Sequence, residues 1–222
     1  MRNFLLTMCV AFNFVAWNSS EAQIHYFLGS GANMSNFRID SIETSPRFGT
    51  NINFGGMAEV NDKFSYSSML EFVQLGAKAT NGQEYSDTGF ITEPTVCKFY
   101  YSELTTSVFA DYYIKYLGLS IQGGLKVGFI WPTKDKDLPE VYFGNSDNLG
   151  SRIFSRDLNT AIQAQSMSFS FFAGLAVKID FMQFCLNYSF YLPAKLKGFY
   201  SIYGNSTIYK SLLEFKVLFY LE

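Results

Sequence analysis

Five carboxylates and three lysines are the side chains of this chain with the best prospect of acting together: Glu59, Glu71, Glu103, Asp111 and Glu214, with Lys126, Lys178 and Lys216. Carboxylates gathered at one place could serve as general acid and base. The same residues could equally neutralise one another, because a buried charge without a partner is costly. The only histidine is His25. A Ser–His–Asp mechanism needs three groups converging on one point, and nothing around His25 suggests that. One histidine and scattered cysteines give no metal-ligand spacing either. No catalytic residue, metal site or cofactor is therefore expected. Which reading of the charges holds depends on the elements that carry them.

The stretch Met167–Leu192 is the plainest of these elements. Phe169, Phe171, Ala173, Leu175, Val177 and Ile179 alternate with Ser168, Ser170, Gly174, Ala176, Lys178 and Asp180, with Phe172 the exception among the latter. After Asp180-Phe181 the parity flips, and Met182, Phe184, Leu186, Tyr188, Phe190 and Leu192 become the apolar set. Side chains in a strand alternate with period two, so this is a hairpin with one greasy and one polar face. It predicts that Ile179 faces Met182, Val177 faces Phe184, Leu175 faces Leu186 and Ala173 faces Tyr188.

The same alternation runs through the rest of the chain. It predicts strands at about 24–35, 48–60, 64–76, 99–115, 117–131 and 209–221, besides the two of the hairpin. Phe48, Ile52, Phe54, Ala58 and Val60 share an apolar face in the second, and Phe64, Tyr66, Leu70 and Phe72 in the third. Leu104, Val108, Ala110, Tyr112 and Ile114 follow in the fourth, Leu117 to Trp131 at odd positions in the fifth, and Leu213, Phe215, Val217, Phe219 and Leu221 in the last. Between them lie polar segments at 36–47, 77–98, 132–165 and 194–208, alternating with tight turns at 61–63, 115–116 and 180–181. Asn81-Gly82 and Pro94 mark the second of these polar segments as a loop.

Long and short connections in strict alternation, with an even number of strands, are the pattern of an outer-membrane barrel. The expected fold is all-β, an eight-stranded antiparallel up-and-down transmembrane barrel. Each arm of the hairpin matches the roughly 9–11 residues that a tilted strand needs to cross the hydrocarbon. Leu175, Val177, Phe184, Leu186, Phe215 and Val217 are expected to face lipid. The eight charged residues are expected inside as an ion-pair network, because an eight-stranded barrel fills its interior with side chains. Aromatic residues fall into two groups, Phe64, Tyr66, Tyr112 and Tyr113 by the short turns, and Phe99, Tyr100, Tyr101, Phe129, Trp131, Phe190, Tyr191 and Tyr209 by the long loops. These are expected to form two interfacial belts.

Composition agrees. The 222 residues are 48% hydrophobic and 18% aromatic but only 16% charged, below the quarter or so usual in soluble domains. The net charge of −2 gives no basic field for nucleic acid. Residues 1–22 read as a cleaved secretory signal, with Arg2 ahead of the short apolar core Phe4–Trp17 and Ser20-Glu21-Ala22 before the cut. The barrel domain is then 23–222. Cys97 and Cys185 fall near opposite strand ends, too far apart for a disulfide. Asn33, Asn187 and Asn205 head glycosylation-like triplets, but two of them lie in strands, which makes chance the better explanation.

Several ordered motifs resemble the PorT-like outer-membrane β-barrel family. Gly29-Ser30-Gly31-Ala32-Asn33-Met34-Ser35-Asn36 is similar to its opening strand, and Phe48-Gly49 through Glu59, Asp62-Lys63-Phe64 and Leu70-Glu71-Phe72 to its second and third strands. Leu75-Gly76-Ala77-Lys78 and Gln122-Gly123-Gly124 with Gly128 continue the likeness. Tyr101-Ser102-Glu103-Leu104-Thr105 resembles its Tyr-Leu-Glu-Ile-Pro block, with Ser102 in place of the leucine and Thr105 in place of the proline. The resemblance implies a barrel in the outer membrane of a Gram-negative-type envelope.

The functional expectation is a non-enzymatic barrel in contact with outer-membrane lipid, binding a protein or glycan partner through its external loops, or serving structurally. Two other readings stand beside it. One is a narrow solute channel. The other is a secreted lipocalin-like carrier of an apolar ligand, whose faces would be reversed.

Overall fold

The alternating segments form eight long antiparallel strands in a computed structural model that describes residues 23–39, 42, 44–86, 89–90, 95–131, 141–143, 153–154, 167–195 and 207–221. They are β1 (Ile24–Ile39), β2 (Thr44–Glu59), β3 (Phe64–Ser86), β4 (Thr95–Ile114), β5 (Leu119–Trp131), β6 (Met167–Ile179), β7 (Met182–Tyr191) and β8 (Thr207–Leu221). Each pairs with its neighbour in sequence, and β8 pairs with β1 from Tyr26↔Leu221 to Ile39↔Ile208. The ring is therefore closed, and it leaves no unpaired edge among its eight strands. The segment expected to be a signal peptide, residues 1–22, lies outside the described residues.

The central hairpin has the expected register, with Ile179↔Met182, Val177↔Phe184, Leu175↔Leu186 and Ala173↔Tyr188. Asp180 takes φ 51° in its two-residue turn, a region that Asp tolerates better than most residues. Gly118 takes φ 61° and closes the turn between β4 and β5.

The loop-side ends differ from expectation. Residues 36–47 are not a long loop: β1 runs to Ile39 and β2 starts at Thr44. Nor does Asn81-Gly82 form a turn. β3 continues through it to Ser86, and a register shift between Ala79 and Gly82 absorbs one extra residue as a bulge. Past the ring, Gln83 and Glu84 pair with the short strand Val141–Phe143, which pairs in turn with Ile153–Phe154. A turn-forming dipeptide makes a hairpin only if the strands beside it lack better partners; here β3 has β4 and Val141–Phe143. The remainder of the segments expected as the third and fourth loops lies largely outside the described residues.

A second bulge lies between Pro46 and Asn51 of β2. It interrupts the β2–β3 ladder opposite Gly76. Ser35, from β1, reaches past β2 and takes over: its hydroxyl accepts from the Gly76 N–H at 2.7 Å and donates to the Gly76 carbonyl at 2.8 Å. Both backbone groups of an interrupted ladder are thereby satisfied by one side chain.

The two faces of the ring are unlike. Outside stand Phe48, Ile52, Phe54, Leu125, Trp131, Phe169, Leu175, Leu186, Phe215 and Leu221, all exposed. Ala58 departs from this expectation. It has the outward parity but is buried, being small and flanked by Ile24 and Tyr66 on the adjoining strands. Inside, the packing is more apolar than an alternating polar face implies. Phe37, Val73, Leu75, Phe99, Tyr101, Tyr191, Ile208 and Leu212 form one cluster toward the loops. Phe27, Met57, Met69, Phe109, Phe172, Cys185 and Leu218 form another toward the turns. Phe99, Tyr101 and Tyr191 thus do not belong to an outer aromatic belt. In an unbroken aromatic run such as Phe99-Tyr100-Tyr101, period two must send alternate rings inward.

The Ser35 bridge generates a prediction. Ser35→Ala leaves the buried Gly76 N–H and carbonyl unpartnered and is expected to cost about 1–3 kcal/mol in urea unfolding. Ser35→Thr, which keeps the hydroxyl, should recover most of it. Equal stability for wild type and Ser35→Ala would mean that the bulge is satisfied some other way.

Candidate functional site

The strongest concentration of charge is in the middle of the bore. Glu71 projects inward from β3, Lys126 from β5, and Glu214 and Lys216 from β8, where a spacing of two puts both on one face. Lys126 Nζ lies 3.1 Å from Glu71 Oε2 and also bonds Glu214 Oε2. Lys216 Nζ lies 2.9 Å from Glu71 Oε1 and 3.2 Å from Glu214 Oε1. Each ammonium thus touches both carboxylates, and the four formal charges cancel. All four side chains are at most 1% exposed. Ser189 donates to Glu214 at 3.3 Å, and the ring of Phe172 sits 5.2 Å from Lys126 Nζ. Phe172, the exception to the alternation of β6, is here a wall of the charge site.

Toward the loops, Glu103 of β4 accepts a hydrogen bond from the Ser168 hydroxyl of β6. Gly128 of β5 lies between them, and a Cβ there would meet the Glu103 carboxylate. The space that holds Glu103 is thus made by a missing side chain. Lys210 of β8 is buried as well, its Nζ 5.1 Å from the Tyr101 ring. Sequence reasoning missed Lys210, although it shares the inward parity of Leu212, Glu214 and Lys216.

Toward the turns, Asp111 accepts from the Gln122 amide. Beyond it opens a cavity of about 410 Å³ whose lining includes Glu59, Asp62, Asp111, Lys178, Gln183 and Tyr220. Tyr220 donates to Gln183 Oε1 at 2.6 Å. Lys178 and Glu59 meet at 3.7 Å, but their side chains are 42% and 47% exposed. These two were expected in the interior network and are instead at its mouth. Their parity is inward, but they sit at strand ends where the bore meets solvent. An exposed pair of this kind contributes little to stability.

The six residues expected to face lipid all project outward. Leu175, Val177, Leu186 and Phe215 are exposed and Phe184 and Val217 half-buried. His25 is half-buried near the turn-side end of β1, opposite Met57. Among the described residues no group of three or more His, Cys, Asp or Glu side chains is placed to hold a metal. Cys97 lies in the loop-side apolar cluster and Cys185 in the turn-side one. Asn33 and Asn187 are buried inside, and Asn205 lies outside the described residues.

What this arrangement can do chemically is limited. Each carboxylate of the quartet is held between two ammonium groups. An apolar cluster covers it on both sides. The charge layer thus lies between two greasy ones, and a cavity opens among the described residues on the turn side.

No family model matches the chain, and no curated protein does. Among solved structures, the attachment invasion locus protein Ail of Yersinia pestis, in complex with the heparin analogue sucrose octasulfate, is similar over 89% of this chain and 99% of its own, with 11% identity and a TM-score of 0.44. The outer membrane protein OprG from Pseudomonas aeruginosa is similar over 90% and 97%, with 10% identity and a TM-score of 0.45. Neisserial surface protein A is similar over 87% and 96%, with 9% identity and a TM-score of 0.44.

The quartet predicts a particular pattern of unfolding energies. Lys216→Met leaves one carboxylate unneutralised in the core and is expected to cost about 3–5 kcal/mol. Adding Glu214→Met restores a neutral Glu71–Lys126 pair, so the double variant should be less destabilised than the sum of the two single variants. Additive losses in a double-mutant cycle would show that the four charges do not act as one unit.

Proposed function

We propose that this chain is an integral outer-membrane β-barrel of the PorT-like kind, non-enzymatic and closed to solutes, that presents its loop-side end to a protein or glycan partner. The observation that carries the reading is the inversion of the usual soluble arrangement. Large apolar side chains stand exposed around the outside of the ring, while the buried charges are all inside. Lipid is the surrounding in which such an outer face is favourable. A signal peptide at residues 1–22 and export across an inner membrane are part of the same reading.

The loop-side end supplies the surface for a partner. β3 rises past the ring to Ser86 and is joined there by Val141–Phe143 and Ile153–Phe154. A sheet extended in this way offers a partner an ordered backbone surface, which lowers the ordering cost of binding.

The channel reading has less support. The turn-side cavity ends at Asp111, and the Phe109 and Phe172 rings, 5.5 Å apart, pack between it and the quartet. The carrier reading needs an apolar cavity inside and polar residues outside, and the faces are the other way round.

Two measurements test the proposal. Purified protein in planar lipid bilayers should give no large, stable conducting state; reproducible nanosiemens-scale steps would overturn the closed bore. Leu175→Arg and Leu186→Arg should each destabilise folding into lipid vesicles by about 2–4 kcal/mol, since a guanidinium at the bilayer midplane loses water without gaining a counter-charge. If both arginines are neutral and wild type folds equally well in plain buffer, the membrane reading is wrong.

A further inference from the structure

The outer face of the ring is not uniform at its loop-side end. Arg38 of β1, Arg47 of β2, Lys78 of β3 and Lys98 of β4 occupy four consecutive strands. Arg38 and Lys98 are exposed, and Arg47 and Lys78 are half-buried. A tilted strand crosses the hydrocarbon in roughly 9–11 residues. All four cations lie farther than that from the turn-side strand ends Ile24, Glu59, Phe64 and Ile114. On the other half of the ring, the corresponding outward positions carry Trp131, Phe169, Phe190 and Tyr209. One half of the loop-side rim is thus aromatic and the other half cationic.

Among the described residues no carboxylate neutralises these cations. Lys78 stands directly opposite Lys98 in the β3–β4 ladder. Like charges opposed across a ladder are destabilising unless something neutralises them. Apart from residues 81–86, the carboxylates of these four strands are Glu59, at the turn-side mouth, and the buried Glu71, Glu103 and Asp111. No ion pair among the described residues involves any of the four cations. Arg47 is held in place by the Tyr100 ring, 4.6 Å from its guanidinium carbon, and lies across Gly76 where a side chain would obstruct it. Stacking fixes the guanidinium plane but leaves its N–H fork available for a phosphate.

We propose that this half of the rim is a docking surface for phosphate-bearing lipid head groups in the membrane leaflet on the loop side. The inference rests on the membrane reading above and adds to it a specific lipid chemistry and a place. Charge complementarity carries it: four cations just beyond the apolar band, on adjoining strands, with no carboxylate partner among the described residues. A phosphate between Lys78 and Lys98 turns their repulsion into attraction. The surface runs directly into the lipid-facing band, so a lipid can seat its chains on Leu104 and Phe72 and its head group on the cations above.

The test compares folding equilibria in phosphatidylcholine vesicles with and without a minor fraction of phosphatidylglycerol. Wild type should gain stability from the anionic lipid, roughly fivefold in the folding equilibrium for each cation held at an anionic surface. The gain should shrink as salt is raised, because exposed charges are screened. The variant Arg38→Gln, Arg47→Gln, Lys78→Gln, Lys98→Gln should lose the gain yet fold in phosphatidylcholine as well as wild type, the Lys78–Lys98 repulsion having gone. Lys78→Gln with Lys98→Gln alone should lose about half of it. The exposed turn-side pair Lys63→Gln with Lys115→Gln should keep most of it. An undiminished gain in the four-residue variant, or an equal loss in the turn-side pair, overturns the proposal. Inorganic phosphate producing the same gain in phosphatidylcholine would overturn the assignment to a lipid. Wild type failing to insert into phosphatidylcholine at all would instead bring down the membrane reading itself.

Discussion

The bore of an eight-stranded ring has to be filled, and here the filling is centred on four charges that cancel. Glu71, Lys126, Glu214 and Lys216 come from three strands that are not neighbours, so their mutual attraction ties together parts of the ring that no backbone ladder joins. Removing these groups from water is expensive, and attraction offsets that only when every ammonium meets carboxylates at contact distance. Both lysines here meet two. The surrounding structure serves this arrangement: Phe172 and Phe109 seal it on one side, and Leu212 and Tyr191 lie in the cluster on the other. A ring closed by hydrogen bonds alone would leave strand register open to slippage, whereas these pairs form only in one register.

Small residues are the second half of the same solution. The large side chains of the two interior clusters cannot enter a bore of this size unless others give way. Gly128 leaves room for Glu103, Gly124 for Phe109, Gly55 for Phe27 and Gly174 for Asn187. Each of these four inward side chains is thus matched by a glycine on an adjoining strand. A backbone left bare at these sites is what lets the neighbour fit. It explains why the interior holds apolar layers that strict polar alternation would not place there.

The outside of the ring has the opposite constraint. Phe48, Leu125, Trp131 and Phe190 stand exposed among the described residues, so their surroundings must be apolar if this face is to be stable. In the proposed membrane setting, the change from that band to Arg38, Arg47, Lys78 and Lys98 on one half of the rim would set a vertical position for the barrel, and the aromatic residues on the other half would set the same level by different chemistry.

Sequence alone determined the strand count, the ring order, the register of the central hairpin and the sign of each face, because period-two alternation and tight turns are local properties; the turn after Ile114 is longer than expected and sets it opposite Leu119, not Leu117. Leu175 opposite Leu186, and Glu71 inward while Phe72 is outward, follow from counting. It did not determine how far the strands run past the ring. Asn81-Gly82 has the local signature of a turn, but β3 finds partners in β4 and Val141–Phe143, which lie far off in sequence. Nor could parity decide which inward charges meet. Glu59 and Lys178 have the same parity as Glu71 and Lys126, yet the first pair sits at a solvent mouth and the second at the centre. Parity gives a direction across the sheet; height along a tilted, closed ring and distance across its bore depend on all eight strands at once, and only the tertiary structure decided them.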